Sequence, residues 1–466
     1  MRKSLLVVIV LLVFVWLNPV LLFSAEEGLP AGLTDAERLV VKEYVKKQMS
    51  ESSFTAGITP DGSFYAPAEY EPADAVLYSW SGYSTLLTKL IKESCLDNKV
   101  ILICSSSYSQ SSADRTLKNA DVNMKNLSYL VAPTNSVWIR DFGPMFVIDD
   151  KGDRGVLDLI YNRPRPNDDK IPQRVAEHCG YNYYKPSLVL PGGNLIIDGN
   201  GTAFMTDVVF DPGEGGDPNM THEKIEKIFK NFYNVERVVI IPKMKRDGTG
   251  HIDMFCKLLP GNIFIVGEYA SPSDGASNNY EILNKNAEIL AGLKDLNGKP
   301  YKVVRIPMPK YTGTSFSYTN SLFLNKTVLV PIYGKSFDEA ALKIYRDNMP
   351  GYKVVGFDCS RIITANGAIH CISKLVMGSQ IKVDVISGTE NVQYSPTKVS
   401  ARISSYRTIR EAKLYWRTGS ENQVRFVALE DRGNNLYEAV IPPDADPSEI
   451  MIYIKDERGM KKIVKL

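Results

Sequence analysis

Between residues 73 and about 378, short apolar runs alternate with amphipathic stretches. The runs at 74–78, 99–103 and 237–241 are rich in Val, Ile and Leu and bounded by polar residues, as buried strands are. Between such runs, residues 85–94, 111–125, 222–233, 279–293 and 338–348 repeat their apolar positions at helical intervals. Strand–helix alternation predicts an α/β domain. The units recur at irregular spacing, with no sequence repeat between them. Past residue 381 the period changes. Residues 382–386, 398–403, 412–416, 424–428, 437–441 and 449–454 alternate polar and apolar, with Gly, Asn and Pro between them. About seven short strands in this tail predict an immunoglobulin-like β-sandwich.

The N-terminus follows another pattern. Arg2 and Lys3 precede an apolar run from Leu5 to Leu17, and Ser24-Ala25 ends the segment. This order matches a secretory signal at residues 1–25, with cleavage after Ala25. The competing reading is an uncleaved anchor, because Leu5 to Phe23 nearly spans a bilayer. Residues 26–60 hold a charged helix from Asp35 to Met49 with Thr34 as its N-cap, either a pro-segment or an opening helix. Residues 57–72 are rich in Gly, Pro and Ser and read as a connector. The expected division is therefore 1–25 signal, 26–60 N-terminal segment, 61–380 catalytic domain and 381–466 sandwich.

Composition narrows the function. The chain has 466 residues, 44% hydrophobic and 23% charged, which excludes a low-complexity chain and a small disulfide scaffold. Its 55 basic and 53 acidic residues give +2, and loss of Arg2 and Lys3 with the signal leaves a neutral chain. No broad basic surface for nucleic acid is expected. No CxxC pair occurs among the six cysteines, and no acidic loop has an EF-hand pattern. No metal and no cofactor are expected. An exported location follows from the signal, with no stable membrane insertion once it is cleaved.

Four islands carry candidate chemistry. Trp138-Ile-Arg-Asp141-Phe-Gly-Pro144 sets a charged pair beside a Trp and a Gly-Pro turn; alone, it reads equally as a structural ion pair. Gly192-Gly-Asn-Leu-Ile-Ile-Asp-Gly199 permits close backbone approach, or is simply a turn. In Gly248-Thr-Gly-His251-Ile-Asp253, an extended backbone would aim His251 and Asp253 to one face. They would present an acid/base and a carboxylate to one pocket, metal binding and a buried structural His being the rivals. Cys371, after the small-residue turn Ala365-Asn-Gly-Ala368, is expected to be exposed enough to react, unless it is an inert buried thiol. His370 should point away from its neighbour, so His251 is the candidate base.

Together these motifs, in this order, resemble the guanidino-group-modifying enzymes, in particular the family of agmatine deiminases and Porphyromonas-type peptidylarginine deiminases. The matching pieces are W-x-R-D-x-G-P at 138–144, G-G-N-x-x-x-D-G at 192–199, G-H-x-D at 250–253 and I-H-C ending at Cys371. The resemblance implies a pentein fold, a five-bladed α/β propeller with the site in its central channel. It implies that Asp141 and Asp253 grip a guanidinium and that Cys371 attacks its carbon to give a thiouronium. His251 would then protonate ammonia and activate water, with Asn320 beside the nucleophile and Trp138 walling the guanidinium's path. Arg163 and Arg165, two residues apart, would converge on the α-carboxylate of a C-terminal arginine. Where agmatine deiminases carry a triple glycine before I-H-C, this chain has Ala365-Asn-Gly-Ala368.

The expectation is an exported deiminase converting peptidyl-arginine, preferably C-terminal, to citrulline and ammonia. Its partners would be arginine-containing peptides or proteins, alternatively agmatine. An agmatine or small-guanidine deiminase is the alternative within the class. An exported Cys/His amide hydrolase and a non-catalytic surface-binding protein are the rivals outside it. With Cys371 a free thiol, five cysteines remain and at most two disulfides can form.

Overall fold

Four of the five sheets in the alternating region share one chain order: a strand, an antiparallel partner, a helix, and a strand parallel to that partner. In the computed structural model of the chain, residues 28–53, 58–378, 380–387, 396–417, 423–443, 445, 450–457 and 461–466 are described, and the expected signal lies outside them. Met145–Asp149 pairs with Arg154–Leu157, helix Ile171–Cys179 follows, and Asn182–Tyr184 lies parallel to Arg154–Leu157. The same sequence of events joins Ile196–Ile197, Thr202–Thr206, helix His222–Tyr233 and Arg237–Ile241. It recurs in Cys256–Leu259, Ile263–Glu268, helix Asn279–Ala291 and Lys302–Pro307. Leu322–Leu324, Thr327–Ile332, helix Asp338–Asn348 and Lys353–Asp358 form another copy. Each parallel pair needs a long crossover, and the helix supplies it.

The fifth sheet is assembled from both ends of the region. Ala73–Ser79, helix Ser84–Asp97 and Lys99–Cys104 form the parallel unit, extended by Leu127–Val131. Its antiparallel strand is Lys374–Met377, the last of the region, which pairs with Ala73–Ser79 near the region's start.

Local chemistry explains the helix limits. Thr221 caps His222–Tyr233 by accepting from the Lys224 N–H, and Asn234 ends it at φ 52°. Ile225, Phe229, Phe232 and Tyr233 fall on one face and are buried, each worth about 1.5–3 kcal/mol. The helix expected at 111–125 instead occupies Ser107–Asn119. Ser106 accepts from the Ser109 N–H at 3.1 Å and starts it earlier, while Asp121 at φ 55° turns the chain away. Helix Ile171–Cys179 was not foreseen, although Pro172 in its first turn and Gly180 at φ 69° after it are helix boundary signals.

The N-terminal segment contains a helix packed on the α/β domain. Thr34 and Glu37 form a capping box: the Glu37 N–H donates to Thr34 Oγ1 at 3.2 Å, and the Thr34 N–H to Glu37 Oε2 at 2.8 Å. Helix Asp35–Ser53 buries Val41 and Val45 against Ile160 and Val189. Ahead of it, residues 28–33 run across the domain surface.

The tail forms two four-stranded antiparallel sheets. One holds Ile381–Ser387, Thr397–Ser405, Leu436–Ile441 and Glu430–Asp431; the other holds Val424–Ala428, Ile409–Arg417, Met451–Asp456 and Lys461–Lys465. Val399, Ile403, Leu414, Ile452 and Ile454 are buried in it. Arg407 ties the tail to the α/β domain through Glu71 at 3.1 Å. All six cysteines are free thiols, so neither of the disulfides the sequence allows is formed. Among the described residues no helix is long and apolar enough to cross a membrane.

Candidate active site

Each of the five sheets contributes the turn just ahead of its antiparallel strand. Asp141 precedes Met145–Asp149, and Gly193 precedes Ile196–Ile197. His251 and Asp253 precede Cys256–Leu259, Asn320 precedes Leu322–Leu324, and His370 and Cys371 precede Lys374–Met377. The candidate residues are therefore structural equivalents, brought together by repetition of the unit.

Asp141 lies in the short helix Ile139–Phe142 and accepts the Gly193 N–H at 3.2 Å. A side chain on Gly193 would meet Asp141 Oδ1 at 2.6 Å, His251 Nδ1 at 2.8 Å and Asp253 Oδ2 at 3.1 Å. The G-G-N island is thus a turn, and also the floor between three chemical groups. Asn194 Oδ1 secures it by accepting from the N–H groups of Thr206 at 3.0 Å and Ile252 at 3.2 Å. His251 Nδ1 stands 3.4 Å from Asp141 Oδ1, an ion-pair distance without hydrogen-bond alignment. His251 Nε2 and Asp253 Oδ1 are buried and have no hydrogen-bond partner among the described residues. His251 and Asp253 lie at a 3₁₀ turn, Ile252–Met254, rather than on the expected strand.

Asn320 frames the nucleophile. Its amide donates to Cys371 Sγ at 3.1 Å, while its oxygen accepts the N–H groups of Ala368 at 3.1 Å and Cys371 at 3.2 Å. Asp253 Oδ2 is 3.9 Å from the sulfur. Cys371 is 1% exposed, which corrects the expectation of an exposed thiol. Burial, then the charges of Asp253 and Asp141, push that thiol well above its ordinary range. Burial pulls His251 down, but Asp141 and Asp253 outweigh it and hold the imidazole above its usual pKa. Burial pushes Asp141 up, but His251, Arg163 and the Gly193 N–H outweigh it and hold the carboxyl low. These shifts favour an imidazolium at His251, a carboxylate at Asp141 and a thiol at Cys371. A planar cation set between the carboxylates would relieve the push on the sulfur and satisfy the orphaned oxygen.

Trp138 is fully buried against Gly367, where a side chain would meet the indole at 2.4 Å and Cys371 Cβ at 3.0 Å. Its indole N–H donates to the Leu29 carbonyl at 2.7 Å. Arg163 and Arg165 do converge, but in an irregular turn, and on the chain's own N-terminal segment. Arg163 Nε donates to the Ala31 carbonyl at 3.2 Å. Arg165 Nη2 donates to the Pro30 carbonyl at 2.8 Å and pairs with Glu37. Both are 1% exposed, so the pair is not open to a substrate carboxylate as expected. Residues 29–33 thus lie against the Trp138, Arg163–Arg165, Gly248 and Cys371 loops at once.

Two residues near Asp253 escaped the sequence reading. Glu69 sits between prolines in what read as a connector, and His370 was judged only as a poor base. No group of His, Cys, Asp and Glu suited to a metal is present among the described residues.

The family model described as Porphyromonas-type peptidyl-arginine deiminase matches residues 65–376. A Latilactobacillus sakei subsp. sakei (strain 23K) protein, provisionally named agmatine deiminase, is 29% identical over 302 residues, 57% of this chain and 81% of that one. Among solved structures, an arginine deiminase so named provisionally from Porphyromonas gingivalis is 24% identical with a TM-score of 0.60, covering 67% of this chain and 98% of its own. The agmatine deiminase of Enterococcus faecalis is 23% identical with a TM-score of 0.60, over 69% and 99% of the two chains.

Proposed function

The chain belongs to the Porphyromonas-type peptidyl-arginine deiminase family, and from that membership we propose that it hydrolyses the guanidinium of a small free guanidine of the agmatine type. As the cation settles between Asp141 and Asp253, the Cys371 thiol loses its proton to solvent, and the thiolate attacks the guanidinium carbon. His251, whose charged form is favoured by Asp141 and Asp253, gives its proton to the departing ammonia. The thiouronium on Cys371 is then attacked by water, with neutral His251 taking the proton, and the ureido product leaves as the thiol reforms. A neutral amide gains nothing from two carboxylates, so this set suits a guanidinium better than a peptide bond.

The observation that carries the small-guanidine reading is the engagement of Arg163 and Arg165 by residues 30–32 and Glu37. A substrate without a carboxylate has no need of them. The agmatine deiminase names of relatives support the same reading. Peptidyl-arginine is the second reading, favoured by Arg163 Nη2, which is buried with no hydrogen-bond partner among the described residues. We read the five sheets, closed by the pairing of Lys374–Met377 with Ala73–Ser79, as the blades of a pentein propeller. We read the two tail sheets as an immunoglobulin-like domain, and the protein as exported.

A colorimetric ureido assay on agmatine, free arginine, C-terminal-Arg peptides and internal-Arg peptides tests the proposal. Agmatine should turn over fastest, and Cys371→Ala should form no product. Higher turnover of C-terminal-Arg peptides would replace the small-guanidine reading with the second. No ureido formation from any guanidine would remove the deiminase reading.

A further inference from the structure

His370 is turned away from the sulfur beside it. Its Nδ1 lies 2.6 Å from Asp253 Oδ2, and its Nε2 lies 2.9 Å from both oxygens of Glu69. Glu69 is itself pinned, accepting from Arg140 Nη2 at 2.8 Å and Lys257 Nζ at 2.6 Å. Those cations are fixed in turn: Arg140 Nε donates to the His370 carbonyl at 3.2 Å and Lys257 to the Ser321 carbonyl at 2.7 Å. Asp253, His370 and Glu69 line one pocket, and Cys371 is not among its lining residues.

We propose that His370 and Glu69 are positioning residues for the deimination, holding the Asp253 carboxylate in the one orientation in which it meets the substrate's guanidinium beside Cys371. This rests on the deiminase reading. A carboxylate on a single bond is free to rotate, and Asp253 Oδ2 is already 3.9 Å from the sulfur. Rotation would carry Oδ2 away from the sulfur and from the floor at Gly193. The His370 bond fixes Oδ2, and so leaves Oδ1 as the buried oxygen without a partner. An unmade hydrogen bond of that kind costs about 1–3 kcal/mol, and it persists where a ligand will make it. Glu69 fixes the ring from its other side. An imidazole with a carboxylate on each nitrogen needs a proton for each, either on the ring or shared with one acid. The three groups therefore hold one orientation together.

The test uses His370→Ala, His370→Asn and Glu69→Gln in the full chain. An asparagine amide can replace the ring Nδ1–H towards Asp253 but cannot reach Glu69. Two readouts are taken: kcat and KM on the preferred guanidine, and the ratio of Cys371 alkylation by cationic chloroacetamidine to that by neutral iodoacetamide. A residue that merely supports the fold would change both alkylations alike. His370→Ala should lower kcat/KM by about 10²-fold or more, as misplacement of a catalytic group does. It should lower the alkylation ratio about tenfold, and His370→Asn should recover most of both losses. Glu69→Gln should lower the ratio by about threefold, and it decides the matter with His370→Asn if the alanine variant fails to fold. These changes correspond to about 1.4 kcal/mol per factor of ten. Ratios equal to wild type in Glu69→Gln and in the folded His370 variants would overturn the positioning role. An inactive wild-type protein would instead overturn the deiminase reading.

Discussion

Gly193→Ala tests the geometry of the whole site with one carbon atom. Gly193 lies outside the left-handed region, so its backbone accepts an alanine. Only the neighbours object. The new methyl would sit 2.6 Å from Asp141 Oδ1, 2.8 Å from His251 Nδ1 and 3.1 Å from Asp253 Oδ2. Against an ordinary contact of 3.4 Å, the shortfalls are 0.8, 0.6 and 0.3 Å. Three groups that must converge on one guanidinium would each move outward. Displacements approaching 1 Å in a reacting set cost about 10²-fold, so kcat/KM should fall at least that far. Overpacking costs about 1–3 kcal/mol of stability, which a fold of this size survives. The assay is ureido formation under steady state, with a thermal melt confirming the fold. Gly192→Ala is the contrast, because its methyl would meet the Arg140 carbonyl at 2.2 Å. Backbone cannot yield as side chains do, so that variant should lose its fold rather than its specific activity. A Gly193→Ala protein within threefold of wild type would refute the convergence of Asp141, His251 and Asp253 on this glycine.

Three further outcomes follow from the charges. Because burial, Asp253 and Asp141 together hold the Cys371 thiol high, alkylation by neutral iodoacetamide should rise only in the alkaline range. Chloroacetamidine, which brings its own positive charge, should reach half its maximal rate at a lower pH; coincident midpoints would contradict the electrostatic account. Glu37→Ala removes the carboxylate paired with buried Arg165. It should lower thermal stability and raise kcat/KM for free arginine relative to agmatine about fivefold or more, about 1 kcal/mol of differential transition-state binding. An unchanged ratio would show that Arg165 does not meet the substrate. Burial pushes Glu69 up, but Arg140, His370 and Lys257 outweigh it and hold its carboxyl well below 4.5. With the folded pKa depressed, its contribution is complete above the unfolded value of about 4.5 and is lost as pH falls through the folded one. Urea midpoints of wild type and Glu69→Gln should therefore differ at pH 7 and approach each other towards pH 3.

The strand–helix alternation was legible because each buried strand is short and apolar and each helix carries its own cap and stripe. Residues 338–348 were foreseen as a helix, and Asp338–Asn348 is one. The pairing of Lys374–Met377 with Ala73–Ser79 was not legible from composition or period. A strand's partner is set by tertiary closure, and nothing local names a strand three hundred residues away. The site divides in the same manner. His251, Cys371 and the two aspartates stood out because each lies within four residues of a glycine, and Asp141 also of a Trp. Glu69 carries no such mark. It lies in Pro67-Ala-Glu-Tyr-Glu-Pro72, and only convergence with Arg140, Lys257 and His370 gives it meaning. The arginine pair was found for the right property, convergence, but its partner on this chain could not be seen. Thr34 read as a cap, yet the reach of Glu37 to both Thr34 and Arg165 depends on where the segment lies in space.

The position of that segment bears on how a substrate reaches Cys371. Leu29, Pro30, Ala31 and Gly32 present their carbonyls to Trp138, Arg165, Arg163 and again Arg165. The Ala31 N–H donates to the Ala365 carbonyl in the turn before Cys371, and Ala31 is fully buried. These are main-chain bonds, so changing the side chains of residues 29–31 leaves them intact. A glycine is required at 32, where a methyl would meet the Gly248 carbonyl at 2.6 Å. The contact therefore depends on backbone proximity and on the capping box that anchors the following helix. Its strength resides in Glu37, the one side chain that both closes the cap and holds Arg165. A substrate approaching from this side must compete with those carbonyls for the same guanidinium groups. An amine at the substrate's far end would leave these bonds intact, as the small-guanidine reading requires, whereas a carboxylate would have to displace backbone carbonyls from Arg163 and Arg165.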